Sequence, residues 1–387
     1  MDKRVYFLMI VSFIVGMVEL IISGLLDLIA EDLHVSIGAA GFLVTIFSLI
    51  FAIASPILLF MTAKMERKKL TLIFLILFLI GNIISVFSPT YSILLVGRII
   101  TALSGALLII LCLVMAPRIV EPKYRGRAIG IVSMGVSGSL VLGVPVGLLL
   151  GETFSWRAPF ICIAILTALS IIGVYFWMDK VKPSPAVPLK IQLATLKSRK
   201  ILFAHITTFL YMSGHSVLYT YLKPFVQETI DLSAAWISIL FLIFGIAAVS
   251  GGGIGGTLAD ILGTKRTVVS SIILFSIAII AIPFTTGILP IFFITLIIWG
   301  IMSWAISPAM QSYLIDSSPE TGEIQQSLSN SALHFGIAFG AFVGGLIIGQ
   351  TSSNANAFIG GLLILISLGT MFISIKAKNE HASTTAG

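Results

Sequence analysis

The chain has 387 residues, 58% hydrophobic and only 10% charged, which is too little charge to cover a soluble protein of this length. A net charge of +7 would suit nucleic acid, but the basic residues sit at the ends of apolar segments, where anionic lipid headgroups are the expected neighbours. The only two cysteines, Cys112 and Cys162, lie inside apolar stretches without CxxC or Cys/His spacing, so neither a disulfide framework nor a metal site is expected.

About twelve apolar segments follow one another, each near the ~20 residues a helix needs to cross a bilayer. Their approximate spans are 5–29, 36–62, 70–88, 91–116, 128–150, 157–178, 201–224, 236–259, 267–285, 288–315, 325–349 and 355–375. The first is too long for a signal peptide and has no small-residue cleavage site, so it reads as a retained helix. Twenty of the 23 Lys and Arg fall in alternate connections, beginning with Lys3 and Arg4 before span one. This positive-inside bias predicts that both termini are cytoplasmic. Connections on the other side hold only Arg157 and Lys223, and Arg98 lies within a span. The connection 316–324 breaks the pattern, with Asp316, Glu320 and Glu323 and no base. The expected fold is all-α: twelve transmembrane helices in two six-helix bundles, 1–178 and 201–376. A proline-containing cytoplasmic loop at 179–200 joins them, and a short polar cytoplasmic tail follows at 377–387.

Glu19 is the only carboxylate well inside a span. An ionised carboxylate in hydrocarbon is costly, so such a group is expected to face a cavity and to work, here by taking up a proton near neutral pH. Ser12, Gly16, Glu19, Ser23 and Asp27 recur at helical spacing and share the expected cavity face, with Asp27 at its edge. Arg98 is the expected partner, about 10 Å into span four where Glu19 is about 15 Å into span one, at ~1.5 Å per residue. Both residues are assigned to proton coupling; the plainer alternative is a static ion pair. Span five carries Gly130, Gly135, Gly138, Gly143, Pro145, Gly147 and Gly151, which suit close helix packing and a bend. Span eleven has a matching run with Gly336, Gly340 and Gly344.

In the second half, His215, Tyr219, Trp304, Gln311, Asn330 and His334 are the candidate substrate-binding residues. They combine aromatic faces for stacking with amides for the edge of a planar solute, chemistry that grips a purine or a planar drug alike. Tyr221 is a further aromatic of span seven. His205 is expected at the interface, and Trp299 is expected to face lipid or to pack. No phosphate-cradling Gly-x-x-x-x-Gly-Lys-Ser/Thr sequence and no hydrolase constellation occurs, so ATP drive and an enzyme are not expected, and no cofactor is called for.

The loop Gly256-Thr-Leu-Ala-Asp260-Ile-Leu-Gly263-Thr-Lys265-Arg266 aligns with 60–69, about half the chain away. Repeated halves around a midplane cavity are a transporter design. Together with six plus six helices and a long central loop, this resembles the major facilitator superfamily over nearly the whole chain. The first copy of the loop is degenerate, with Lys64 for the aspartate and Arg67 for the second glycine. Further stretches, among them Val18-Glu19-Leu20, Thr62-Ala63-Lys64-Met65-Glu66-Arg67-Lys68, Gly143-Val-Pro145, Ser213-Gly214-His215, Ser307-Pro308-Ala309-Met310-Gln311 and Gln325-Gln326-Ser327, resemble the drug:proton antiporter group and, within it, purine base and nucleoside efflux pumps of Gram-positive bacteria. The resemblance implies a proton-driven exporter of the plasma membrane, acting as a monomer on a small-molecule substrate. It implies an antiporter motif at Gly143, Pro145 and Gly147, and a cytoplasmic latch at Gly256, Asp260, Gly263, Lys265 and Arg266. It also ties a span-four arginine such as Arg98 to proton transfer, although Ala102 stands where glycine is usual. A multidrug pump is the first alternative. A non-transporting receptor or scaffold is a weaker one, disfavoured by the intramembrane charges.

Overall fold

The computed structural model describes residues 2–183, 189–230 and 232–377. Pro185, Pro188 and the tail from Lys378 fall outside the described residues, as does the side chain of Glu323. Among the described residues every regular element is a helix. Eleven helices are long and apolar enough to cross a membrane, and one bent pair makes a twelfth span.

By its contacts the chain divides into two units: Met1–Ala186 with Thr220–Gly245, and Val187–Tyr219 with Ile246–Gly387. The first unit holds α1 (Lys3–Leu20), α2 (Ile22–Asp32), α3 (Ile37–Met61), α4 (Arg67–Val86), α5 (Tyr91–Met115), α6 (Arg125–Gly138), α7 (Val144–Thr153) and α8 (Ala158–Trp177). The second holds the short α9 (Leu189–Ala194) and α10 (Arg199–Tyr219). The chain then returns to the first unit with α11 (Leu222–Thr229) and the start of α12 (Ala234–Leu262). The second unit is completed by α13 (Thr264–Thr285), α14 (Leu289–Ser317), α15 (Gly322–Ile348) and α16 (Asn354–Lys376).

Three expected spans are interrupted. The first breaks at Ile21, where α1 and α2 meet at 49°. The fifth widens into a π turn at Ser139–Gly143, because Pro145 has no N–H to continue the ladder and the Val144 N–H reaches back to the Ser139 carbonyl. The seventh stops at Tyr219 and resumes as α11.

Small residues decide how closely the helices cross. An added Cβ at Gly135 on α6 would stand 2.2 Å from the Met9 carbonyl oxygen of α1. At Gly16 it would meet the Ser139 hydroxyl, and at Gly147 the Ile21 side chain. In the second unit Gly336 and Gly340 on α15 meet the Phe209 and Ser213 carbonyls of α10 in the same way. The two glycine-rich spans thus do the same packing job against the first long helix of their own unit.

The degenerate loop after α3 is built around residues that the charge pattern treated as orientation signals. Glu66 caps α4 by accepting from the Lys68 and Lys69 N–H groups at 2.7 and 2.9 Å, and it accepts from Val181 N at 3.0 Å as well. Arg67 is buried and donates to the Thr62 and Ala63 carbonyls at 3.3 and 3.4 Å, closing the end of α3 from within. Gly263, between α12 and α13, has φ of +86°, which favours glycine in the matching loop.

Candidate functional site

The break in span one creates the charged site. With the helix interrupted at Ile21, the Val18 carbonyl takes no backbone hydrogen bond among the described residues. It accepts instead from Arg98 Nη1 of α5 at 2.7 Å. Arg98 is fully buried, and its guanidinium lies over the Phe47 ring of α3, 4.2 Å from the centroid. Its Nε and Nη2 groups have no hydrogen-bond partner among the described residues. Glu19, next to Val18 and partly exposed, attracts the same guanidinium. The two charges that the sequence singles out are therefore brought together, by a helix break that the sequence reading did not foresee.

The face of α1 shared by Ser12, Gly16 and Glu19 is not uniformly a cavity wall. Gly16 is packed against Ser139, and beyond the break Asp27 holds Lys223 Nζ at 2.7 Å. Asp27 is thus one half of an ion pair where the sequence suggested an edge residue, and Lys223 is buried where it suggested a solvent-facing connection.

In the second unit His215 and Tyr219, one turn apart on α10, stack with ring centroids 5.0 Å apart. Trp299 of α14 closes the group edge-on, 5.8 Å from His215 and 6.4 Å from Tyr219. Its Nε1 donates to His215 Nδ1 at 3.2 Å. An indole N–H can only donate, so Nδ1 is the bare nitrogen of a neutral imidazole and the ring proton sits on Nε2. Trp299 is fully buried in this aromatic group and does not face lipid. A tryptophan in mid-span of a helix whose partner carries a histidine was the available signal.

The other candidates are more dispersed. His334 is buried, while Trp304 and Asn330 are half-buried. Gln311 is exposed and donates to Ser307 Oγ at 3.4 Å. Tyr221 belongs to the first unit, where its hydroxyl lies against Gly41 of α3. His205 is buried, not interfacial, with Nε2 2.9 Å from Gln325 Oε1. Asn356 was missed: fully buried in α16, it donates to the Val217 carbonyl of α10 at 3.0 Å and the Gly344 carbonyl of α15 at 3.4 Å. Gly143 and Pro145 lie at the π turn with Gly147 one turn on, facing Met17 and Ile21. In the loop at 256–266, Asp260, Lys265 and Arg266 are exposed, and among the described residues none of the three forms an ion pair.

A chain that crosses the membrane many times and keeps charged and hydrogen-bonding groups inside its helical units has the build of a polytopic transporter. The sequence profile of the Major Facilitator Superfamily matches residues 8–321 and 204–387. The chain is 34% identical to the MFS-type transporter YbcL of Bacillus subtilis (strain 168), covering 98% of this chain and 97% of that protein. It is 28% identical to a probable sugar efflux transporter of Mannheimia succiniciproducens, over 94% of this chain and 92% of the relative. A solved bacterial homologue of the human lysosomal transporter Spinster shares the fold, with a TM-score of 0.79 at 16% identity and 97% coverage of both chains. The protein belongs to the Major Facilitator Superfamily.

Proposed function

We propose that this transporter is a secondary active exporter of the plasma membrane, with both termini cytoplasmic, that exchanges protons for small planar solutes. Purine bases or nucleosides are the favoured cargo, by the motifs shared with the purine efflux pumps of the drug:proton antiporter group. The observation that carries the reading is the fully buried Arg98 guanidinium, held by one neutral carbonyl and a ring beside Glu19. A proton on Glu19 cancels the attraction and leaves the Arg98 donors ready for another acceptor; loss of the proton restores the pair. Such a switch needs only local charge and a helix break.

His215, Tyr219 and Trp299 supply flat faces for a base, with Trp304, Gln311, Asn330 and His334 as further contacts. Gly143, Pro145 and Gly147 serve as the proton-tight packing of the antiporter motif, and the segment from Gly256 to Arg266 as the cytoplasmic latch. The relative named as a probable sugar efflux transporter supports export as the direction. The chain is expected to work as a monomer.

The test is uptake of labelled hypoxanthine, adenine and guanosine into everted vesicles under an imposed pH gradient, with and without an uncoupler. The expected result is uncoupler-sensitive accumulation, abolished by Glu19→Gln with protein levels unchanged. If purines fail to accumulate in vesicles where planar cationic drugs still release protons, the purine reading falls and the chain is a drug pump.

A further inference from the structure

α11 is an eight-residue helix that joins the first unit directly after α10 has ended in the second. Its Lys223 side chain has 0% exposure. Two carboxylates from two other helices meet the ammonium: Asp27 Oδ1 of α2 at 2.7 Å and Glu152 Oε1 of α7 at 2.5 Å. One turn on, Gln227 Nε2 donates to Asp27 Oδ2 at 3.1 Å. Just before α11, buried Tyr221 fills a notch in α3, its hydroxyl oxygen only 1.9 Å from where a Cβ on Gly41 would stand. One short element is thus fastened to three helices by a buried cation, an amide and an aromatic ring.

A lysine ammonium so completely removed from water is tolerable only while its carboxylates are in place. The docked position of α11 therefore needs that ion cluster as well as its buried apolar residues Leu222, Phe225 and Val226, which alone would leave the lysine charge uncompensated. The face of α3 beneath the notch points to what docking covers. Thr45 and Ser48, one and two turns from Gly41 on the same face, are buried. Their hydroxyls have no hydrogen-bond partner among the described residues. Ser and Thr within helices ordinarily bond back to a carbonyl of the preceding turn, and hydroxyls that do not are suited to contact with water.

We propose that Tyr221–Gln227 is an ionic bolt: docked through Lys223, it closes the Gly41–Thr45–Ser48 face of α3, and released, it opens that face to solvent from the non-cytoplasmic side. Lys223, Asp27 and Glu152 are positioning residues that act through α11. The bolt rests on the proposed function only for the side of the membrane from which it opens.

The test places Thr45→Cys in a Cys112→Ala/Cys162→Ala background and follows labelling by a membrane-impermeant maleimide, in intact cells and in everted vesicles. Lys223→Met is expected to raise the labelling rate about tenfold, as a one-decade shift from docked to released would, and Lys223→Arg to return it toward the starting rate. Gly41→Ala keeps every charge and evicts Tyr221 from its notch, so it is expected to act in the same direction. If Lys223→Met fails to reach the membrane, Gly41→Ala decides. A rise in intact cells supports the bolt and the orientation together. A rise in everted vesicles alone supports the bolt and reverses the orientation. No rise from either side, with the protein in the membrane, overturns the bolt whatever the substrate or direction of transport.

Discussion

Arg98 shows how one buried cation can be held yet left adjustable. Its contacts are a carbonyl freed by a helix break, the face of Phe47 and the charge of Glu19. Arg98→Met leaves the Val18 carbonyl without its donor and the partly exposed Glu19 without its neighbouring cation, so it is expected to destabilise by ~1–3 kcal/mol. The double variant Arg98→Met/Glu19→Gln is expected to recover part of that loss, because no charge remains stranded. Thermal unfolding of the four proteins in detergent closes the cycle, and strict additivity would show that the two charges do not interact. Glu66 lies outside the spans and behaves differently. Burial works to raise its carboxyl, but the N–H groups of Lys69, Lys68 and Val181 outweigh it and hold the carboxyl below its ordinary value. A lowered folded-state value contributes stability that is present above the unfolded carboxylate pKa and lost as pH falls through the folded one. The midpoint gap between the wild type and Glu66→Gln should therefore be full at about pH 6 and shrink toward about pH 3, below the unfolded glutamate value near 4.3. A gap that stays constant over this range would contradict the assignment.

The helices of this protein are shaped as much by their interruptions as by their apolar runs. Pro145 forces the π turn, and on either side of it Gly135, Gly143, Gly147 and Gly151 bring α6 and α7 against α1 and α2. The glycines are not equivalent. A methyl group at Gly135 would meet backbone, which cannot rotate away, so Gly135→Ala is expected to destabilise by ~1–3 kcal/mol. Gly130, also on α6, has nothing within 4 Å of an added Cβ. Gly130→Ala is therefore expected to be neutral or to stabilise by ~0.5–1 kcal/mol through the entropy of the unfolded chain. Thermal midpoints that order the two variants the other way would refute the packing argument. The segment Tyr221–Gln227 follows the same logic: its place on the first unit is set by a notch at Gly41 and by two carboxylates, with Leu222, Phe225 and Val226 buried beside them.

Each unit repeats one plan, in which a glycine-rich span lies against the first long helix of that unit, α6–α7 on α1 and α15 on α10. The two units carry different chemistry on this shared frame. The first holds the ionisable pair Glu19 and Arg98, and the second holds the neutral aromatic group around His215. The proposed proton-driven export predicts two kinds of response to variants on that division. Changes at Glu19 should remove the dependence on the pH gradient, and changes at His215 or Trp299 should alter which solutes are carried. The vesicle assay distinguishes these by comparing uncoupler sensitivity with cargo preference. Lys3, Arg4 and the basic residues of alternate connections set the expected sidedness, because long apolar segments leave charge no other place to go.

Hydropathy and charge along the chain were enough for the class of fold: about twelve spans and the isolated charges Glu19 and Arg98, though not the interruptions of spans one, five and seven. Both act along the chain and need no partner. Features made by two distant segments meeting became visible only in the folded chain. The Val18 carbonyl left open by the break at Ile21 is taken up by Arg98 from α5, the burial of Lys223 is made possible by Asp27 and Glu152, and the orientation of His215 is fixed by Trp299. A lysine at the end of a span has the same local sequence whether it reaches water or lies between two carboxylates. The cost of burying its charge is settled by groups nearly 200 and about 70 residues away, and no local pattern records them.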